Sequence, residues 1–268
     1  VIIKTTALVL RVNPLSRTSR VVTWLTPDCG RVVTVIKGAS RAKSAFLGQF
    51  DLAMRCELLF YRREHDGIHV ARECTPLASR PNLRTDWRGA VAASYLCELA
   101  SRATAPMLDA HSTFDLLDQT LEALEQGAPA PPTILRFEFA LLQTLGLAPD
   151  FAFCEDCTVT SSHRPCRFSL PSGRLRCMHS RTHLPGGTSV AVDAGLLAAL
   201  RTWQRPGWPP AGTGAALPPD DAGIAVRRFL GMFLQCHLDL PLASRQTAFA
   251  WLDTHPGKKH EYNKSVAV

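Results

Sequence analysis

No stretch of this sequence approaches the roughly 18–20 consecutive apolar residues that a membrane-spanning helix needs, so no membrane segment is expected. The opening VIIKTTALVLRV is broken by Lys4, Thr5 and Thr6 and has neither a basic leader nor a small-residue cleavage site, which argues against a secretory signal. A phosphate-gripping Gly-rich loop is also missing. Gly186-Gly187 lacks the Gly-Lys-Ser/Thr pattern that such loops require, which argues against ATP use. No His-x-Glu stands upstream of a Cys-x-x-Cys, so the zinc-deaminase arrangement is excluded. Asp115 and Asp118 read as a solvated helical face rather than a metal-binding nuclease pair. His65, His69 and His111 read as surface or turn residues. No catalytic constellation emerges, and the chain is not expected to be an enzyme.

The first third is poor in negative charge. Residues 1–80 hold 13 Lys or Arg against 6 Asp or Glu, a net +7, whereas residues 81–268 hold 17 against 17. All the excess positive charge is therefore concentrated in one part of the chain, which fits a polyanion partner better than a general solubility device. With no export signal, the expected location is the cytoplasm, where thiols stay reduced. The nine cysteines are then core thiols or metal ligands. Cys29, Cys56, Cys74, Cys97 and Cys236 read as small apolar fillers.

Periodicity changes once along the chain. Residues 1–74 alternate as strands do: Ile2 to Arg11, Arg20 to Thr26, Arg31 to Gly38, a long run from Leu52 to Tyr61, and Ile68 to Cys74. Pro27-Asp28-Cys29-Gly30 and Asp66-Gly67 carry turn chemistry. Five strands in so short a stretch predict a small barrel of the five-stranded OB type, whose open face suits single-stranded nucleic acid. After Pro76 and Pro81 the period becomes helical. Trp87, Val91, Tyr95 and Leu99 share one face, and Ser112 with Asp115 resembles a capping box ahead of Phe114, Leu117, Leu121 and Leu124. Gly127 to Pro132 reads as a loop, and a helix from Thr133 stops at Gly146. Further helices are expected over Val192 to Trp203, Asp221 to His237 and Arg245 to Leu252, with a Pro/Gly-rich loop over Arg205 to Asp220. The fold class is α+β: an OB-fold DNA-binding domain over 1–78, a helical domain over 79–253, and a tail over 254–268 expected to be disordered. A separate Cys/His-rich insert, resembling a zinc ribbon, occupies 151–184.

Within that insert Cys154 and Cys157 form a Cys-x2-Cys knuckle, a spacing that presents two thiolates to one ion from a tight turn. Cys177 arrives where a ribbon's second knuckle belongs, but the following partner position holds Ser180, a poor zinc ligand. His179 could complete a tetrahedral site, and Cys166 and His163 remain options. Such a zinc ion, with protein ligands only, would be structural.

For polyanion binding the strongest stretch is Arg31 to Phe46, RVVTVIKGASRAKSAF. It begins as a half-buried strand, breaks at Gly38, and sets Lys37, Arg41 and Lys43 among small residues that let a phosphate chain approach. Arg11, Arg17, Arg20 and Arg31 lie nearby in a barrel, and Trp24 offers either a stacking surface or core. Two other readings are a zinc-ribbon adaptor whose basic barrel binds acidic proteins only, and a small OB-fold nuclease accessory.

Nearly end to end, these residues resemble the bacterial recombination mediator and DNA repair family RecO. The resemblance rests on Ala7-Leu-Val-Leu-Arg11, Ser19-Arg-Val-Val-Thr-Trp-Leu-Thr26 and the run from Gly30 to Ser44. It continues through Arg136-Phe-Glu138, Leu145-Gly146 and Pro149 into Cys154-x-x-Cys157, and closes on His237-Leu238, Pro241-Leu242 and Ser244-Arg245. Ala243 stands where the family usually has Lys. The resemblance implies binding of single- and double-stranded DNA, ATP-free annealing of complementary strands, and a role in recombination under DNA-damage stress. It also implies work with RecR in loading RecA onto DNA coated by single-strand-binding protein, through contact with that protein's acidic, apolar C-terminal tail. Lys37 and Arg41 match the family's DNA-contacting residues, and three of the four ribbon cysteines map onto Cys154, Cys157 and Cys177.

Overall fold

Alternation of buried and half-exposed residues builds the first five strands: β1 (Ile2–Pro14), β2 (Arg20–Thr26), β3 (Gly30–Ile36), β4 (Arg55–Tyr61) and β5 (His69–Ala78). The computed structural model describes residues 1–63, 67–154, 166–177, 189–204, 220–238 and 243–254. The strands pair in the order β1-β2-β3-β5-β4, and β4 returns to pair with β1, so the sheet closes on itself. All pairings are antiparallel except β3 with β5, where Thr34 faces His69 and Val35 faces Val70. Inside lie Ala7, Val9, Val22, Trp24, Val32, Ile36, Cys56, Leu58 and Phe60.

The long fourth strand expected from Leu52 starts at Arg55. Leu52 and Ala53 form a turn instead, with Ala53 at φ +63°; Ala53 N–H donates to the Val9 carbonyl of β1, and Val9 N–H to the Met54 carbonyl, both at 2.9 Å. His69 is buried, stacked on Phe60 with ring centroids 5.3 Å apart, rather than placed at the surface. In β5 it shares inward parity with Ala71, whereas alternation read from the apolar Ile68 and Val70 would turn it outward.

The chain then turns helical: α1 (Asn82–Thr85), α2 (Trp87–Ala103), α3 (His111–Glu125) and α4 (Ala130–Thr144). Asp86 caps α2, its side chain accepting from the N–H groups of Arg88 and Gly89. No such cap opens α3. The capping box expected from Ser112 and Asp115 does not form, because the helix starts at His111 and its N-cap is Ala110. Phe114, Leu117, Leu121 and Leu124 are nonetheless its buried face. Helix α4 begins inside the predicted loop, with Pro at its first positions, where a missing N–H removes no helical bond. It ends as expected: Gly146 takes φ +69°, and Leu147 donates back to the Leu142 carbonyl.

A second sheet orders β6 (Asp150–Cys154), β8 (Arg174–Cys177), β7 (Cys166–Ser169) and β9 (Ser189–Val192). The expected hairpin is present, with Cys166 facing Cys177. Strand β9 takes Val192, so the following helix is α5 (Ala194–Gln204), followed by α6 (Asp220–Leu238) and α7 (Ala243–Thr254). In its described residues this sheet is not separate in packing. Phe151 packs tilted and Phe168 edge-on against Phe229 of α6, at 5.6 and 5.0 Å between centroids, within the same core as the helices. Leu8, Leu10 and Leu25 of the barrel also join that core, so barrel and helices share a buried apolar seam. The tail beyond Thr254, the loop over 205–219, and Cys157, His163 and His179 lie outside the described residues.

Candidate nucleic-acid interface

Strand β3 divides its side chains between two faces. Val32, Thr34 and Ile36 are buried, while Val33 and Val35 are half-exposed on the outside. Register extends that outer face to both sides. Thr23 and Val21 lie opposite Val33 and Val35, Arg11 lies opposite Thr23, and Val70 lies opposite Val35 with Tyr61 beyond it. The result is a shallow band of valine and threonine edged by cations.

At the end of β3 the chain enters a series of tight turns. Arg41 N–H donates to the Gly38 carbonyl at 3.1 Å, and Ser44 N–H to the Arg41 carbonyl at 3.0 Å. Two bonds dock this loop on the β1–β2 connection: Ser40 N–H to the Thr18 carbonyl at 3.0 Å, and Gly38 N–H to Ser19 Oγ at 3.4 Å. Gly38 has φ +69°, and a Cβ there would stand 3.2 Å from Cδ of Arg41, so the Arg41 stem lies across the glycine. Glycine thus serves both the left-handed turn and the close approach. Lys37, Arg41, Lys43 and Arg17 are all exposed. Among the described residues their charged heads have no hydrogen-bond or ion-pair partner.

The remaining cations named from the sequence are held differently. Arg11 donates to Asn13 Oδ1 at 3.2 Å and stays on the outer face. Half-buried Arg20 donates to the carbonyls of Ser16 and Ser19, so its head braces the β1–β2 loop. Arg31 donates to the Ser101 carbonyl of α2 at 3.2 Å, tying barrel to helix.

Trp24 is not a stacking platform. It is wholly buried, its Nε1–H donating to Thr34 Oγ1 at 2.8 Å, with Phe50 beside it. The aromatic ring that the outer face does present is Tyr61, 42% exposed, with the Arg72 guanidinium 6.0 Å from its centroid. The alternation of β4 carries the signal for it, since Tyr61 shares parity with Glu57 and Leu59. Asp118 also departs from expectation. Instead of facing solvent it receives Arg55 and the buried Arg80, pinning β4 and the barrel exit to α3.

The thiols divide by burial. Cys56, Cys74 and Cys97 are core as expected, and burial pushes the Cys97 thiol up to about 12. Cys236 is exposed, on the outer side of α6, and is no filler. In the second sheet, Cys166 is buried directly across from Cys177, while Cys154 pairs with Leu175, two residues before Cys177. Backbone register therefore brings three cysteines to one end of that sheet. Among the residues whose side chains are described, no group of three potential ligands converges.

On the helical side, Trp87, Val91, Tyr95, Ala248 and Trp251 line an apolar groove of about 390 Å³ between α2 and α7. Arg88 sits 4.9 Å over the Trp87 ring. Glu98, also on the groove wall, is paired with Arg102. No helix among the described residues is long and apolar enough to cross a membrane.

Residues 1–80 match the domain family described as "Recombination protein O N terminal", and residues 84–246 match "Recombination protein O C terminal". Among curated proteins, the chain is similar to the DNA repair protein RecO of Anaeromyxobacter sp. (strain K), 30% identical over 244 residues, or 91% of this chain and 94% of that one. It is likewise similar to the DNA repair protein RecO of Myxococcus xanthus, 30% identical over 239 residues (89% and 93%). The protein of that name from Rhodopirellula baltica is 32% identical over 203 residues (70% and 72%).

Proposed function

The chain belongs to the recombination protein O family and has its DNA repair role; on that premise we propose that it is a mediator that binds single- and double-stranded DNA and anneals complementary strands without ATP. The observation that carries this reading is the Lys37–Lys43 loop, whose cations are exposed, unpartnered among the described residues, and held at the end of a half-exposed sheet face. Residues 1–78, read as an OB-type barrel, are the DNA-binding unit, and 79–253 are the helical unit.

Annealing needs no covalent step. Two strands of like charge must be brought together, and each phosphate neutralised by Lys or Arg releases condensed counterions to solvent. Lys37, Arg41, Lys43 and Arg17 supply that neutralisation, and Arg11 extends it across the outer face. Arg20 and Arg31 hold the loop and the barrel in position. Tyr61 offers one base a stacking surface.

RecR and single-strand-binding protein are the proposed partners, with RecA loaded as the outcome. The α2–α7 groove suits the apolar end of an acidic tail, and Arg88 at its rim supplies the opposite charge. A structural zinc is proposed at the second sheet. Cys154, Cys157 and Cys177 would be three of its ligands, with His179, Cys166 or His163 as the fourth; of these, Cys166 lies across from Cys177 in the sheet. Bound there, the ion would staple the turns at that end of the sheet.

The test is annealing and binding of complementary oligonucleotides across a salt series, without nucleotide. The Lys37→Glu/Arg41→Glu variant is expected to lose affinity and to flatten the slope of log K against log[salt] by about 2. Equal slopes for variant and wild type would remove these residues from the interface.

A further inference from the structure

The cations of the barrel are not confined to the Lys37 end. At the opposite end of β3, a cleft of about 360 Å³ is lined by Arg31, Arg62, Arg63, His69, Pro106 and Met107. Its floor is rigid. Arg31 N–H donates to the Ala105 carbonyl at 3.1 Å, and Met107 N–H to the Cys29 carbonyl at 2.8 Å. Gly30 takes φ +57° so that its backbone fits against the same segment, where a Cβ would stand 2.5 Å from the Ala105 oxygen.

Among the described residues, the charges in this cleft are one-sided. Arg31 uses one N–H on the Ser101 carbonyl, and the other four remain available. The side chains of Arg62 and Arg63 are exposed and, among the described residues, have no acidic partner. His69 adds no positive charge. Its Nδ1 accepts the Arg63 backbone N–H at 3.1 Å, which favours the neutral ring. Burial and then the nearby Arg62 charge hold its pKa below the ordinary value. The closest described carboxylate on the β2–β3 turn, Asp28, is taken by His111, its Oδ1 lying 3.4 Å from Nε2. Three like charges facing one concavity repel each other until an anion enters.

We infer that this cleft binds a phosphate group of a DNA strand, as a second anchor for the strand that the Lys37–Lys43 loop holds at the first. The inference rests on the DNA-binding reading above. The two anchors are separated by the length of β3, about 20 Å at 3.3 Å per residue, which is the span of about six phosphates along one B-form strand. Between them lie Val33 and Val35 with the flanking Thr23, Val21 and Val70, a surface without acidic side chains. A strand laid along β3 therefore meets cations at both ends and apolar contact in the middle.

The test compares wild type, Arg62→Ala/Arg63→Ala and Lys37→Glu/Arg41→Glu on single-stranded oligonucleotides of increasing length, each across a salt series. Circular dichroism and thermal unfolding serve as fold controls. For the Arg62/Arg63 variant, a salt slope lower by about 1–2 is expected, with affinity falling by about tenfold or more on oligonucleotides long enough to reach both anchors. On oligonucleotides too short to span β3, binding at the Lys37 end should be unchanged. A second arm titrates inorganic phosphate against chloride at matched ionic strength. If the Arg62/Arg63 variant binds long DNA with the wild-type slope while Lys37→Glu/Arg41→Glu is impaired, the second anchor is overturned and the DNA-binding reading stands. Saturable phosphate binding that the Arg62/Arg63 change abolishes without affecting long DNA makes the cleft a free-anion site, and also overturns the inference. If wild type fails to bind DNA of any length, both readings fall.

Discussion

Arginine is used in opposite ways in the barrel and in the helical region. On the barrel, Arg17, Arg41, Arg62 and Arg63 hold their guanidinium groups in solvent without described acidic partners. In the helical region Arg245 is buried, and its Nε and Nη2 donate to the two oxygens of Glu138 at 2.7 and 2.8 Å. Tyr95 donates to the same carboxylate at 2.7 Å, so one acid joins α2, α4 and α7. Burial alone would lower the Arg245 pKa, but the Glu138 charge more than reverses it; burial and that same carboxylate push Tyr95 up. A cation meant for a partner must keep its hydration until the partner arrives, whereas a buried one must be paired within the fold. Net charge separates the two regions for that reason, the barrel third at +7 and the remainder at zero.

The largest effect is expected from breaking the internal pairing. Glu138→Ala should destabilise the protein by about 3–5 kcal/mol, because it leaves Arg245 charged, buried and without a carboxylate. Urea unfolding measures this, and a loss below about 1 kcal/mol would mean that water replaces Glu138. Next comes the seam. Asp118→Ala strips the nearer of two carboxylates from Arg80, whose side chain is only 2% exposed, leaving Glu122 at 3.7 Å, and should lower stability by about 1–3 kcal/mol. If it also lowered DNA affinity at temperatures where the protein stays folded, the barrel's orientation on the helices would matter to binding. The smallest stability effect should come from the outer face. Tyr61→Ala should change stability by less than about 0.5 kcal/mol yet weaken single-strand binding by about 1–3 kcal/mol through lost stacking. Trp24→Phe should do the converse, removing the bond to Thr34 at about 1 kcal/mol of stability and leaving DNA affinity intact. Fluorescence anisotropy on one oligonucleotide compares both variants directly.

Much of this division was legible in the chain. Alternation located β2 to the residue and β3 to within two, but with valines on both faces of β3 only the structure showed that Val32 and Ile36 point inward. The helical stripe of Phe114, Leu117, Leu121 and Leu124 was readable because periodicity reports burial whatever the partner is. The Lys37–Gly38–Ala39–Ser40–Arg41 turn was readable too, since glycine and small residues dictate local backbone geometry. Trp24 was less so, because its alternation permitted either face, and only closure of the sheet put that face inside. Helix α3 lacked its expected cap for a related reason. The segment before it is held by tertiary bonds, Ala110 N–H to the Pro27 carbonyl among them, which replaced the local signal of Ser112.

Charge distribution, strand and helix periods, and the basic loop after β3 are properties of short segments, governed by local sterics and hydrophobic patterning, and the sequence determined them by itself. Which cations stay free is a property of the assembled fold. Arg41 and Arg20 look alike in the sequence, as do Asp115 and Asp118. Only the docking of loops and helices decided that Arg20 braces a turn, that Asp118 receives two arginines, and that Arg31 meets Arg62 and Arg63 across strands far apart in the chain. Pairing of charges acts over a few ångströms in space, and sequence distance carries no information about that until the barrel closes and packs.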